Sequence, residues 1–168
     1  IFGPFSLSTP MKEAPIIPVI TLNNEVHAEP LANALLKAGL HILEVTLRTP
    51  AALNGIRIIS KQCPDALVAA GTVLSAADFK AAVDAGARLV ISPGTTPELL
   101  TAAAKSDVPF IPGVATASEA MVAATYGFKI LKFFPAGASG GVAALKGFAG
   151  PLSHLKFCPT GGVNKENM

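Results

Sequence analysis

Two cysteines in 168 residues, Cys63 and Cys158, are too few for a disulfide framework or a cysteine metal cluster, and a reduced, cytoplasmic setting fits them. Histidine is equally sparse. His27, His41 and His154 stand far apart without the spacing of a ligand set, so they read as structural or surface groups and no metal is expected. Charged residues make up only 14% of the chain, against 51% hydrophobic residues and a mean hydropathy of +0.52. A disordered tail needs the reverse composition, and so little polarity suggests strands covered on both faces. Thirteen basic and eleven acidic residues leave a net charge of +2 with no basic run, which argues against nucleic acid as a partner. No apolar run approaches the roughly 18 residues of a membrane span. The first residues lack the basic region of a signal peptide, and since Ile1 is not Met the start is expected to be incomplete. The G-x-S-x-G elbow, the Walker loop and the G-x-G-x-x-G fingerprint are all missing, so serine hydrolases, P-loop enzymes and dinucleotide enzymes lack their minimal parts.

What is present is a repeat. The length fits one domain, residues 1–168, at about 100–200 residues per domain. Short apolar runs at 16–20, 42–47, 67–70, 89–91, 110–111, 130–134 and 155–158 read as strands. Alanine-rich stretches such as 30–38, 76–85, 97–105, 118–125 and 142–148 read as helices, two of them stopping at Gly39 and Gly86. The strand exits resemble one another, and their glycines, Gly71, Gly94, Gly113, Gly137 and Gly161, are 23, 19, 24 and 24 residues apart. Serial strand–loop–helix units predict a parallel α/β fold, closed either as an open doubly wound sheet or as a (β/α)8 TIM barrel. In Leu43-Glu44-Val45-Thr46-Leu47-Arg48 polar and apolar residues alternate, which puts Glu44, Thr46 and Arg48 on one face. A barrel lumen near its catalytic rim accommodates such a face better than an open sheet under helices does, so a compact barrel is expected. Seven strands are visible, and the eighth strand and last helix are absent from the 168 residues, which are short against a typical barrel of about 250. Pro15 and Pro18 flank and interrupt the first strand, which counts against it or makes it short. Unpaired edges on the first and last strands predict that this 168-residue chain associates or folds weakly.

The chemistry concentrates in a few side chains. Lys132 lies in the apolar strand Ile130-Leu131-Lys132-Phe133-Phe134, on one face with Ile130 and Phe134. Burial disfavours an ammonium, and an uncharged lysine amine can attack a carbonyl to form a Schiff base. A lysine snorkelling to solvent at the strand end is the alternative. Glu44 on another strand can pair with Lys132 and then serve as general acid and base, although a purely structural ion pair remains open. Arg48 offers a fork suited to a carboxylate or phosphate. Thr72 offers a hydroxyl and an N–H at a helix start, or simply a cap. Thr160-Gly161-Gly162 after the seventh strand suits a phosphate, as such loops do in barrels. The residues alone point to a barrel enzyme forming an imine with a small anionic carbonyl compound.

The segments Leu43–Thr49, Ala70-Gly71-Thr72-Val73-Leu74, Ile91-Ser92-Pro93-Gly94, Lys132-Phe133-Phe134-Pro135-Ala136 and Phe157-Cys158-Pro159-Thr160-Gly161-Gly162-Val163 together resemble the 2-dehydro-3-deoxy-6-phosphogluconate (KDPG) and 4-hydroxy-2-oxoglutarate (KHG) aldolase family, in order from about Pro15 to the C-terminus. The resemblance implies a metal-free, cofactor-free class I aldolase on a cytoplasmic homotrimer, cleaving KDPG to pyruvate and D-glyceraldehyde 3-phosphate in the Entner–Doudoroff route, and KHG to pyruvate and glyoxylate. It implies Lys132 as the Schiff-base lysine and Glu44 as the proton-transferring group. It also implies that Arg48 and Thr72 hold the pyruvate carboxylate, with Pro93 and Phe134 lining that end. Thr160 would lie in the substrate pocket and Gly161 and Gly162 at the phosphate. The epimeric galactonate as substrate, or a non-catalytic anion-binding or assembly fragment, stay as alternatives. Three departures stand out: the missing last strand and helix, Pro4 and Pro10 in a segment that is helical in the family, and Gly137 where a longer polar residue is common.

Overall fold

The computed structural model describes residues 16–167, so the expectations attached to Pro4, Pro10 and Pro15 lie outside the described residues. The strands are β1 (Val19–Ile20), β2 (Ile42–Thr46), β3 (Leu67–Gly71), β4 (Leu89–Ile91), β5 (Phe110–Ile111), β6 (Gly113–Val114), β7 (Ile130–Phe133) and β8 (Lys156–Pro159). The helices are α1 (Ala28–Lys37), α2 (Ala52–Gln62), α3 (Ala76–Asp84), α4 (Pro97–Ala104), α5 (Ala117–Thr125) and α6 (Gly141–Ala149). Every pairing among the described strands is parallel, in the orders β1-β2-β3-β4-β5 and β6-β7-β8. The fold is therefore α/β with parallel sheets, as the repeat predicts.

Three elements differ from the sequence reading, each for a local reason. The first strand is two residues long, because Pro18 has no N–H to give; its carbonyl still accepts from Glu44 N at 3.1 Å. The fifth strand continues past Ile111 but changes partners at Pro112: β5 pairs with β4, and β6 pairs with β7. Pro112 interrupts the ladder while its carbonyl accepts from Lys132 N at 2.8 Å. Helix α2 is not evident in composition, since Asn54, Gly55 and three isoleucines are weak helix formers. It forms because Ala52, Gly55, Ile56 and Ile59, at helical spacing, bury one face. Gly39 and Gly86 sit at φ +82° and +99°, as expected of residues ending helices.

Alternate residues of β2, β3, β4 and β5 enter two separate apolar clusters. Leu43, Val45, Val68, Ala70, Val90 and Leu131 face the helices. Ile42, Leu67, Ala69, Leu89, Ile91 and Ile111 gather on the opposite face, joined by the half-buried Ile17 and by Ile130 from the second sheet. The two sheets thus bend around one shared apolar floor, which explains the low polarity of the strands. Glu44 and Thr46 follow Ile42 on that face, and Lys132 follows Ile130, each buried among the strands' carboxyl ends.

One helix start carries a measurable pH dependence. The Thr116 hydroxyl accepts from Glu119 N at 3.2 Å, while the Glu119 carboxylate accepts from Thr116 N at 2.9 Å and Ala115 N at 2.7 Å. The Ala115 N–H foremost holds the Glu119 carboxyl below the usual carboxylate range, against a smaller opposing effect of burial. A lowered folded pKa stabilises above the unfolded value and loses that contribution as pH falls through the folded one. Thr116→Ala is expected to cost about 0.5–2 kcal/mol at neutral pH. Glu119→Ala should destabilise at pH 7 by an amount that shrinks below about pH 4. Urea unfolding at pH 7 and pH 3 checks both.

Candidate active site

The carboxyl ends of parallel strands share one edge, where ligands of α/β proteins bind. At this edge Lys132 Nζ on β7 donates to Glu44 Oε1 on β2 at 3.2 Å. The two residues are 6% and 3% exposed, so the pair is out of bulk water although its strands belong to different sheets. The ring of Phe134, half-buried one step further along, lies with its centroid 5.3 Å from Lys132 Nζ, within cation–π range. Snorkelling is thereby ruled out for Lys132, whose ammonium end points inward.

A second polar group forms where β2 and β3 end. Arg48 Nε donates to Thr72 Oγ1 at 3.0 Å, a bond in which the terminal guanidinium nitrogens take no part. Arg48 is exposed and Thr72 half-buried, so this pair faces solvent at the rim. Thr72 adopts φ +56°, a left-handed conformation that costs a β-branched residue of order 1–3 kcal/mol. Cap geometry does not require that strain, because Ser75, not Thr72, caps α3. The conformation turns the Thr72 hydroxyl toward Arg48.

Pro93 follows β4 and is half-buried beside Gly113, where a side chain would overlap the Pro93 carbonyl. Ser92, fully buried, accepts from Gly113 N at 3.1 Å and ties β4's exit to β6. The loops after β7 and β8 run side by side: Ala136 N donates to Thr160 O at 2.8 Å and Gly137 N to Gly161 O at 2.9 Å. Gly161 and Gly162, at φ +89° and +77°, present exposed backbone, with Gly161 against the Phe134 ring. Gly137 itself is exposed and lies beside Gly162, where a β-carbon would stand at ordinary contact distance from the Gly161–Gly162 backbone. All the residues singled out in the sequence therefore reach the same strand ends, in three groups: Lys132–Glu44–Phe134, Arg48–Thr72 with Pro93 on the next strand, and Thr160–Gly161–Gly162.

Two neighbours escaped the sequence reading. Cys158 is the register partner of Lys132. Burial pushes its thiol up, with the Glu44 carboxylate adding to the rise and Lys132 opposing it. Its place two residues before Thr160 was the available signal. Ser92 had none, because a serine before Pro-Gly reads as turn chemistry. His27, His41 and His154 are exposed, and among the described residues no three His, Cys, Asp or Glu side chains gather as metal ligands.

A buried lysine amine beside a carboxylate at the ends of parallel strands can form an imine, the chemistry of class I aldolases, which are carbon–carbon lyases. The family model for KDPG and KHG aldolases matches residues 7–168. The chain belongs to the KDPG and KHG aldolase family. It is 50% identical over 153 residues to the KHG/KDPG aldolase of Escherichia coli K12, covering 91% of this chain and 72% of that one. The KDPG aldolase of Legionella pneumophila, solved with pyruvate captured as a covalent carbinolamine, superposes with a TM-score of 0.90 at 49% identity, over 92% of this chain and 75% of that one. The KDPG aldolase of Zymomonas mobilis ZM4, solved with 3-phosphoglycerate, gives 0.91 at 41% identity, over 96% and 77%.

The buried pair makes a stability prediction. Lys132→Met strands the Glu44 carboxylate without a partner and is expected to cost about 3–5 kcal/mol. Adding Glu44→Leu should restore most of that loss, as read by urea unfolding of the single and double variants.

Proposed function

We propose that the protein cleaves KDPG to pyruvate and D-glyceraldehyde 3-phosphate, and KHG to pyruvate and glyoxylate, through an imine on Lys132. The observation that carries this reading is the Lys132–Glu44 pair, buried at 3.2 Å in a chain of this family. The Lys132 amine attacks the C2 carbonyl, giving a carbinolamine that loses water to become the imine. The C3–C4 bond then breaks. Its electron pair forms the C2–C3 double bond of an enamine as the C2=N pair moves onto the protonated imine nitrogen, which loses its positive charge, and the C4 hydroxyl gives up its proton as the aldehyde leaves. Glu44, beside the amine, receives and returns these protons, directly or through water. Protonation at C3 regenerates the imine of pyruvate, which water hydrolyses to free Lys132.

Arg48 and Thr72 would hold the C1 carboxylate, since a guanidinium and a hydroxyl already share one rim position. Pro93 and the Phe134 ring would wall the pyruvyl end. Thr160 would meet the C4 hydroxyl, and the N–H groups of Gly161 and Gly162 the phosphate. The architecture is proposed to be a (β/α)8 barrel. Its remaining strand would lie between β8 and β1, each of which pairs on one side only among the described residues. A cytoplasmic homotrimer is the proposed setting, supported by family membership; among the described residues no helix is long and apolar enough to cross a membrane.

Borohydride reduction in the presence of pyruvate should add one reduced pyruvyl mass to Lys132, read by peptide mass spectrometry. Label on another lysine, or none, would rule out the imine at this position. Arg48→Ala should weaken pyruvate binding by about 1.5–3 kcal/mol, whereas Glu44→Gln should lower kcat by about 10²–10⁴-fold. Turnover of KDPG against its galactonate epimer checks the substrate assignment.

A further inference from the structure

We propose that Gly71 is a positioning residue, whose missing side chain sets where the Glu44 carboxylate stands; this rests on the proton-transferring reading of Glu44. Glu44 pairs in register with Ala69, and its side chain leans along the strand direction to lie over Gly71, two residues on. A β-carbon on Gly71 would overlap Glu44 Oε1 and stand 2.7 Å from Cγ and 2.8 Å from Cδ. Ordinary contacts at such a carbon are about 3.5–4.0 Å, so even alanine is excluded while Glu44 keeps its place.

Backbone conformation does not explain the glycine, because Gly71 is not among the residues with positive φ. Nor can the strand retreat easily. Gly71 O accepts from Leu47 N at 2.8 Å, and β3 is paired on both sides, with β2 and with β4. The movable partner is Glu44. Its Cγ as well as its carboxyl group would have to swing away, and Oε1 would leave the 3.2 Å contact with Lys132 Nζ. The pinned β3 backbone and the open Gly71 face thus act together as a rest for the carboxylate. A methyl group here is a displacement of Glu44 rather than a loss of any contact of its own.

The test is Gly71→Ala in two backgrounds, followed by exchange of the pyruvate methyl protons in deuterium oxide and by borohydride trapping at Lys132. A shift of about 1 Å in a reacting group costs on the order of 10²-fold. Gly71→Ala should therefore slow methyl exchange and kcat by about that factor, with KM little changed and Lys132 still trapped. In a Glu44→Gln background the same substitution should add almost nothing. Unchanged exchange in Gly71→Ala, or an equal further loss in the Glu44→Gln background, would overturn the positioning role. If Glu44→Gln alone leaves exchange intact, the reading of Glu44 is what fails. The steric claim is then decided by thermal unfolding, because Glu44→Ala should relieve the clash and make Gly71→Ala/Glu44→Ala more stable than Gly71→Ala. A double variant no more stable, or one that also fails to fold, would overturn it.

Discussion

The buried bond between Lys132 and Glu44 is the constraint on which the remainder of this structure turns. Removing two opposite charges from water costs several kcal/mol for each ion, and their attraction offsets this only when both are held at short range. Holding them there requires β2 and β7, from different sheets, to keep a fixed separation. The apolar floor of Ile42, Leu67, Leu89, Ile91, Ile111 and Ile130 supplies that separation from below. The amine and carboxylate thus sit above a packed base. Stability and reactivity pull in opposite directions at this point. A hydrophobic pair would cost less to bury, and it would have no chemistry.

Around that bond the site is sorted by exposure. The Lys132–Glu44 pair is buried, Phe134, Thr72 and Pro93 are half-buried, and Arg48, Gly161 and Gly162 are open to water. A substrate with a carboxylate at one end and a phosphate at the other could keep both anions near the solvated rim while its carbonyl reached the dry interior. Charged ends then need not be fully desolvated, and only the neutral reacting carbon enters the region where an amine is poorly hydrated.

How much of this was legible in the chain follows from contrast. Glu44 and Lys132 were readable because a charge inside an apolar strand of period two stands out, although snorkelling or a structural ion pair could equally produce it. The strand exits were readable because glycine and proline recur there at a near-constant spacing. Helix α2 was hidden, since Ile56 and Ile59 favour helix only through what they bury. The change of partner at Pro112 was hidden because a proline between two apolar pairs looks like an end rather than a seam. Gly71, Cys158 and Ser92 were visible as residues but not for the contacts they make, for a shared reason: those contacts depend on what an adjacent strand brings against them, and register is not written in any one segment.

Thr72 sets stability against a contact at the rim. A residue held at φ +56° against its own side chain is a standing debit in folding free energy, which glycine or asparagine would cancel at no cost to the turn. Selection for thermal robustness alone would discard threonine at this position early. Threonine at this position supplies the hydroxyl that Arg48 Nε bonds at 3.0 Å, which glycine would lack. Libraries sorted only for heat resistance would be expected to enrich replacements at position 72 and, in doing so, to lose the hydrogen bond between Thr72 and Arg48.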